Sequence, residues 1–480
     1  MNTIGQIESR TGLNAPVRGL IAVLALGVAL VVLAAGHYAL LGILGLVTFW
    51  LFLRSPVLGL YLTTALLLLS GASGVLGFIG AATPVTAAKI CGVMTLLAWL
   101  VNTLVQRSRP LICWEMVLAL IFLLWAAFGI LYSRTSEEQL PEWIRLSTVI
   151  AYFIMAAHLL NSSDRIHRFV VLLALCGMLM AAFAVYQYFT PSTHLEPTTA
   201  LEKIGAGVEG AYIEPEALQS GQAVRVSGRA GHSNWLALAL LLILPLNAYW
   251  FRATAKASIR VLIFVAVGLE TMAIVFTFTR TGLVVGGTLA VLLVGKRLMR
   301  LGPYRAAGLA VALLLAWFLL PPAYKERVLS LQQYMSSESV EHRTELQAAA
   351  FQFMLDHPVQ GVGLGGFGFR LIETQGPVAT VMRWLYNDLH WNPLFFGTHN
   401  MYLQLGCESG LVGLAIFLVL AAVFLRRLNQ TRRAAREVED RTVADLTGAL
   451  QVSMWSFLIS AIFLHALQQK IWWMILALGV

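Results

Sequence analysis

Charge is scarce in this chain. Asp, Glu, Lys and Arg make up only 12% of its 480 residues, against roughly 25% in an ordinary soluble protein. Apolar residues account for 58%, and the mean hydropathy is +0.76. That leaves too little polar surface to cover a water-soluble globule, so a cytosolic enzyme, a DNA-binding factor and a disordered hub are excluded. The chain reads as an integral membrane protein. Cysteine is scarce as well: Cys91, Cys113, Cys176 and Cys407 lie in or beside apolar runs and form no C-x-x-C. They read as small buried apolar residues, not as a disulfide framework or a metal site. Walker A, H-E-x-x-H and zinc-spaced Cys/His patterns are missing too. The segment Met1–Val17 is polar and lacks a cleavable signal pattern, and the apolar run Leu20–Ala35 reads as a retained span.

What is abundant is apolar length. A helix needs about 20 apolar residues to cross the hydrocarbon core. Such runs lie near residues 19–36, 38–53, 57–70, 84–104, 111–132, 143–160 and 169–189. Others lie near 233–251, 259–279, 281–296, 304–320, 401–425 and 445–467, and Ile471–Val480 reads as a partial span. The expectation is an all-α polytopic membrane protein with about 12–14 transmembrane helices. No internal repeat and no pair of interrupted spans stands out. The organisation is N-terminal transmembrane helices over 1–189, a first loop over 190–232, central transmembrane helices over 233–320, a large loop over 321–399, and C-terminal transmembrane helices over 400–480.

Lys and Arg outnumber Asp and Glu by 33 to 24, which reads first as topology and not as nucleic-acid binding. One set of short loops holds Arg54, Arg107, Arg109, Arg165, Arg168, Arg252, Lys256, Arg260, Lys296, Arg297, Arg300 and Arg305. The run Arg426–Arg441 falls on the same side. That side is assigned to the cytoplasm, with anionic lipid as a further contact for the last run. The two long loops then face outward. Loops this long are uncommon unless functional or disordered. The larger holds an amphipathic stretch, His342–His357, with Leu346, Ala349, Ala350, Phe353 and Met354 at helical spacing. An aromatic cluster follows, Trp384, Tyr386, Trp391, Phe395 and Phe396, of the kind that favours a membrane interface. A helical cap at the outer surface is expected.

The outward side carries an unusual set of cations. Arg225 and Arg229 precede a helix in RVSGRAGHSNWLA, Arg280 lies in the tight junction TFTRTG, and Arg343 opens the amphipathic stretch. Arginine presents a planar, permanently charged fork that suits phosphate oxygens. Arg280 is a functional-site candidate because a charge between two closely linked spans is costly without a partner; a snorkelling side chain or a pair with Glu270 is the plainer account. Arg225 and Arg229 read equally as solvated loop charge, and Arg343 as a surface pair with Glu341 or Glu345. His399 and Asn400 open the span after the large loop, in GTHNMYLQLGCESGLVG. His399 is a candidate general base or acid, or an ordinary helix-start histidine. His232 and Asn234 read as a helix cap, and Lys89 as a snorkelling side chain or a contributor to the same cavity. Gly361–Gly366 satisfies G-x-G-x-x-G but lacks the βαβ context, so it reads as a turn after Asp356-His357-Pro358. Glu137, Glu138 and Glu142 read as a solvated loop.

With these motifs in view, the chain resembles the O-antigen ligase and Wzy-type polymerase superfamily of bacterial envelope glycan enzymes. RVSGRAGHSNWLA is similar to the family's Arg, Gly, Pro-Asn-x-x-Ala helix start, with Ser233 in place of the proline. TFTRTGLVVGG resembles its Ser-Arg-Gly junction. HRTELQAAAFQFMLDHPVQGVGLGGFGF followed by THNMYLQLGCESGLVGL resembles its Arg, its Asp-His-Pro-x-x-Gly-x-Gly turn and its His-Asn helix. The resemblance covers roughly residues 220–425. It implies a membrane glycosyltransferase with an active site facing the periplasm across the bacterial inner membrane. The donor would be an undecaprenyl-pyrophosphate-linked glycan, and the acceptor a sugar hydroxyl of lipid A–core oligosaccharide, in lipopolysaccharide biosynthesis. No cofactor, metal or nucleic acid is implied. Arg225 and Arg280 are then assigned to the pyrophosphate, His399 to the acceptor, and Arg229, Arg343 and Asn400 to substrate binding. A Wzy-type polymerase and a protein O-oligosaccharyltransferase share the motifs. A lipid-glycan flippase or transporter is the alternative of another class; it predicts polar residues throughout the membrane depth, where mostly Leu, Ala, Val and Ile are found.

Overall fold

The computed structural model describes residues 37–69, 87–105, 111–133, 135–190, 226, 232–279, 281–282, 284–288, 338–389 and 393–480. The expected spans at 19–36 and 304–320, most of 281–296, most of the first loop, and Arg225, Arg229, Arg280 and Trp391 lie outside them.

Among the described residues the protein is all-α, without strands. The helices are α1 (His37–Arg54), α2 (Pro56–Leu69), α3 (Ala87–Val105), α4 (Trp114–Leu131), α5 (Ser136–Leu159), α6 (Ser163–Phe189), α7 (Ser233–Ala253) and α8 (Ala257–Phe276). After the large loop begins come α9 (Glu338–Asp356), α10 (Phe367–Ile372), α11 (Pro377–Leu389), α12 (Met401–Glu437), α13 (Arg441–Ser460) and α14 (Lys470–Gly479). Seven described helices, α3 to α8 and α12, are long and apolar enough to cross a membrane. Their lipid-facing sides keep residues such as Leu104, Leu124, Phe128 and Phe264 exposed, as expected where hydrocarbon replaces water as the solvent.

α7 is the central helix. Leu236, Leu240, Leu242, Ile243 and Leu246 are fully buried, and α6, α8 and α13 pack around it. Short polar side chains help the helices approach closely, as is usual in membranes. The Ser453 hydroxyl donates to the Leu242 carbonyl across α7 and α13 at 2.7 Å. At the end of the bundle where α12 turns towards α13, Arg427 Nε meets the buried Glu115 carboxylate of α4 at 2.7 Å.

The expected amphipathic helix is α9, with Leu346, Ala350 and Phe353 buried. It packs along the beginning of α12 together with α10 and α11, sharing a small core with Phe367, Leu371, Val378 and Cys407. Trp384 is exposed, whereas Phe396 is buried. Gly361–Gly366 forms turns, not the start of a nucleotide-binding helix.

Two expectations need correction. α5 begins at Ser136, not near residue 143. Glu137 and Glu138 are exposed in its first turn, but Glu142 is a buried residue of that helix and not part of a solvated loop. α12 continues to Glu437, so much of the Arg426–Arg441 run is helix and not loop. Hydropathy marks where apolar residues stop, whereas the helix continues wherever its hydrogen-bond ladder stays intact.

α12 is also broken within its length. Gly410 has φ 67° and ψ −179°, open only to glycine at low cost. A Cβ there would clash with the Val359 carbonyl oxygen. The break leaves backbone groups without their usual partners, and the Gly-rich turn supplies them. Val362 N–H donates to Cys407 O at 2.9 Å, Gly363 N–H to Glu408 O at 3.0 Å, and Leu411 N–H to Pro358 O at 2.8 Å.

Candidate functional site

Two helix starts meet at one end of the bundle. α7 begins behind His232, whose Nδ1 accepts the Asn234 N–H at 3.0 Å. This is the capping role expected for GHSN. α12 begins behind Asn400, whose Oδ1 accepts the N–H groups of Tyr402 and Leu403 at 3.0 and 3.2 Å. That carbonyl oxygen serves the helix start, which satisfies two of its unpartnered donors. A row of rings joins the two starts. His232 lies 6.3 Å from Trp235, Trp235 lies 5.5 Å from His465, and His465 lies 5.9 Å from His399, centroid to centroid.

His465 belongs to the link between α13 and α14, and sequence reasoning missed it. Met401 N–H donates to Ala461 O at 2.8 Å, which ties this link to the start of α12. At Gly397 a Cβ would lie 2.6 Å from His465 Nδ1, so glycine permits the close approach. Burial pushes the His465 ring down to about 4, and the ring is therefore neutral near pH 7.

His399 has φ 53°, a region that residues with a Cβ seldom enter. Such strain persists where surrounding contacts over-determine it. The contacts here are on the preceding residue. Thr398 N–H donates to Gln404 Oε1 at 2.8 Å, and the Thr398 hydroxyl donates to the Asn400 carbonyl at 2.7 Å. Gln404 Nε2 in turn donates to Glu408 Oε1 at 2.6 Å, and the backbone N–H groups of Gly365 and Phe367 also bond Glu408. A continuous polar chain thus runs from the Gly-rich turn to the backbone beside His399.

A second carboxylate faces the same turn. A Cβ on Gly365 would lie 3.0 Å from Glu142 Cγ. Glu142 accepts from Gln468 Nε2 at 2.5 Å and pairs with Arg145 at 2.9 Å. Arg145 also donates to Gln468 Oε1 at 3.3 Å. Lys470 lies within electrostatic reach of Arg145 and Lys89. It stands between buried Leu467 and Ile471 yet keeps an exposed side chain. Lys89 and the Glu142-paired Arg145 thus both stand within electrostatic reach of Lys470. The sequence singled out only Lys89 of these. Lys470 does interrupt an apolar tail, and Glu408 an apolar span, which was the available signal.

Arg225, Arg229 and Arg280 lie outside the described residues, but their flanks are described. Val226 N–H donates to Phe276 O at 3.2 Å, so the segment after Arg225 is tied to the end of α8, four residues before Arg280. The Thr279 hydroxyl accepts Gly282 N–H at 3.1 Å and caps the helical turn that follows. Phe278 carries φ 49°, a second left-handed residue. Glu270, the suggested partner for Arg280, is buried and accepts from Asn247 Nδ2 at 2.7 Å. Arg343 stands one turn before Leu346, in the core that also holds Leu403 near the start of α12.

Residues 265–418 match the family model described as O-antigen ligase. That segment, about a third of the chain, is similar to the O-antigen ligase family. No curated protein matches it. The ligase-family segment contains Arg280, Arg343, His399, Asn400, Glu408 and the Gly-rich turn. His232, Trp235, His465, Arg145 and Lys470 lie outside that segment yet converge on it. Chemically, the site combines an imidazole on a constrained backbone with a polar chain to the buried Glu408, and the cations Lys470, Lys89 and Arg145 lie by the link between α13 and α14. That combination suits proton transfer beside a stabilised anionic group.

Proposed function

We propose that this protein is an O-antigen ligase, a glycosyltransferase that takes its glycan from undecaprenyl pyrophosphate. A sugar hydroxyl of lipid A–core oligosaccharide attacks the anomeric carbon as the bond to the pyrophosphate oxygen breaks. The hydroxyl proton passes to His399, and undecaprenyl pyrophosphate leaves with its electron pair. Arg280 and Arg225 hold the pyrophosphate, while Arg229 and Arg343 add to the charge around it. Among the described cations, Lys470, Arg145 and Lys89 supply the field into which the leaving group's negative charge grows. Asn400 fixes the start of α12, and so the place of His399. The donor is already activated, so no nucleotide is consumed. The positive-inside distribution supports a periplasmic site in the inner membrane.

The observation that carries the reading is the row of rings that joins two helix starts at His399, inside the segment that matches the family model. The test is transfer in vitro. Purified protein, undecaprenyl-pyrophosphate-linked glycan and lipid A–core are combined without ATP and with chelator. Core-linked glycan is expected from wild type and is lost in His399→Ala and Arg280→Ala. Longer lipid-linked glycan without core transfer would make the chain a polymerase. Movement of lipid-linked glycan across liposomes, with no transfer to either acceptor, would make it a flippase.

A further inference from the structure

A cleft of mixed polar and apolar lining borders the Gly-rich turn, and Glu408 is not among its lining residues. It measures about 200 Å³, is partly open, and is bordered by the turn between α4 and α5, by residues 357–366, and by α10. This is smaller than the ~300–1,000 Å³ pockets that take drug-sized molecules, and of a size for one small ring or two. We propose that this cleft binds a sugar ring of a membrane-anchored glycan substrate, away from the bond that reacts. The substrate class follows from the transferase reading above, while the choice of a sugar rests on the lining itself.

The lining is rich in groups that pair with hydroxyls. Ser133 and Thr135 project from the α4–α5 turn, and both are positioned from behind. The fully buried Gln139 donates through Nε2 to Ser133 Oγ at 2.7 Å and to Thr135 Oγ1 at 2.9 Å. Those oxygens are thus engaged as acceptors. The two hydroxyls also lie 3.3 Å apart, so one hydrogen serves their mutual bond and the other is left to donate to a ligand oxygen. Across the cleft, Arg370 Nη1 pairs with Glu373 Oε2 at 2.6 Å. A guanidinium beside a carboxylate offers a donor and an acceptor side by side, which matches two neighbouring hydroxyls on a ring. The same pairing argues against a phosphate, because Glu373 already offsets the Arg370 charge. Tyr132 adds an exposed ring at 70% of its full accessibility, suited to the apolar C–H face of a sugar.

The location supports a lipid-anchored ligand. Trp125, Phe128 and Tyr132 form a row of rings along α4, with centroids 5.6 and 4.8 Å apart. Leu124, Phe128 and Leu131 on the same helix are exposed and face the acyl region. A glycolipid lying against α4 would bring its first sugars to Tyr132, and the next turn of chain forms the cleft. The Gly-rich turn is the shared wall: one side lines the cleft and the other bonds Glu408, two residues of α12 beyond Gly406.

Donor and acceptor are both lipid-anchored glycans, and the experiment separates them. Full-length protein in nanodiscs is assayed as wild type, Tyr132→Ala and Arg370→Gln with Glu373→Gln. KM is measured for undecaprenyl-pyrophosphate-linked glycan and for lipid A–core, together with saturation-transfer NMR of the deacylated core oligosaccharide and of the delipidated repeat unit. Loss of one or two ligand hydrogen bonds or the stacking face should raise KM for one substrate about tenfold, with kcat within about twofold. The NMR signal of that same sugar should fall. The substrate affected identifies the occupant. Wild-type transfer with both KM values and both NMR signals unchanged in every variant overturns the proposal while leaving the transferase reading intact. Sugar signals lost in the variants, but no transfer by wild type, would support the cleft and overturn the transferase reading.

Discussion

His399 combines a reactive side chain with a backbone that would rather hold glycine. At φ 53° a residue with a Cβ carries roughly 1–3 kcal/mol of local strain. Stability and activity should therefore move in opposite directions at this position. His399→Gly should raise the thermal midpoint in detergent while reducing transfer by at least about a hundredfold, the scale of a lost general base. His399→Ala should reduce transfer equally without the gain in stability. His465 makes a separate prediction through its proton. Burial holds its folded pKa near 4, below the ~6.5 of an unfolded chain. Its contribution to stability is complete above pH 6.5 and is lost as pH falls through that window towards 4, because only the unfolded state takes up the proton. The melting temperature should fall over this range, and His465→Gln should flatten part of the slope. At this scale the sequence was informative where a residue broke its surroundings. His399 stood beside Asn400 at the start of a span, and Arg343 opened an amphipathic stretch. His465 lies in AIFLHALQQK with nothing local to mark it. Its role comes from Trp235 and His399, residues distant in the chain, and only packing brings them together.

At the scale of the element, α12 and the Gly-rich turn form one interlocked unit. Gly410→Ala should destabilise the protein by at least about 2 kcal/mol, since it adds both left-handed strain and a clash with the Val359 carbonyl. Thermal unfolding followed by tryptophan fluorescence would measure it. Gly413→Ala lies three residues on, where a Cβ would crowd the Ser409 side chain but add no left-handed strain, and it should cost less. The helices themselves were largely legible from apolar runs. α2, α3, α4, α7 and α8 begin and end within about three residues of the apolar windows, at the ordinary uncertainty of helix ends. Two of the misses share a cause. α5 starts early and α12 ends late because both continue through polar sequence, which hydropathy treats as the end of a span. The break at Gly410 left no mark in composition either, because its backbone groups are satisfied by a turn some fifty residues earlier.

At the scale of the molecule, buried polar pairs tie the helices together within an otherwise apolar bundle. Away from the site, the buried Glu115 of α4 depends on Arg427 of α12. Removing the cation strands a carboxylate in the interior, a change that typically costs about 3–5 kcal/mol. Arg427→Met should therefore be more damaging than Arg427→Met combined with Glu115→Leu. Chemical denaturation of the two variants in the same detergent would show the order. Catalysis should respond much less than stability, since this pair is remote from His399 along α12.

The broken α12 also bears on how the protein comes to be assembled. Before the 358–363 turn is in place, the carbonyls of Cys407 and Glu408 have no amides from outside the helix to receive. Lipid offers them none. A newly inserted α12 would do best as an uninterrupted rod, its ladder running straight through residue 410. The bend then belongs to a later stage, reached when the chain on the far side of the bilayer has been delivered and folded onto it. A nascent chain would pass through two forms of this one span, distinguished by the amide exchange of Leu411 and Val362. Only the second form has the polar chain beside His399 in place, so that catalytic competence waits on the completion of folding outside the membrane.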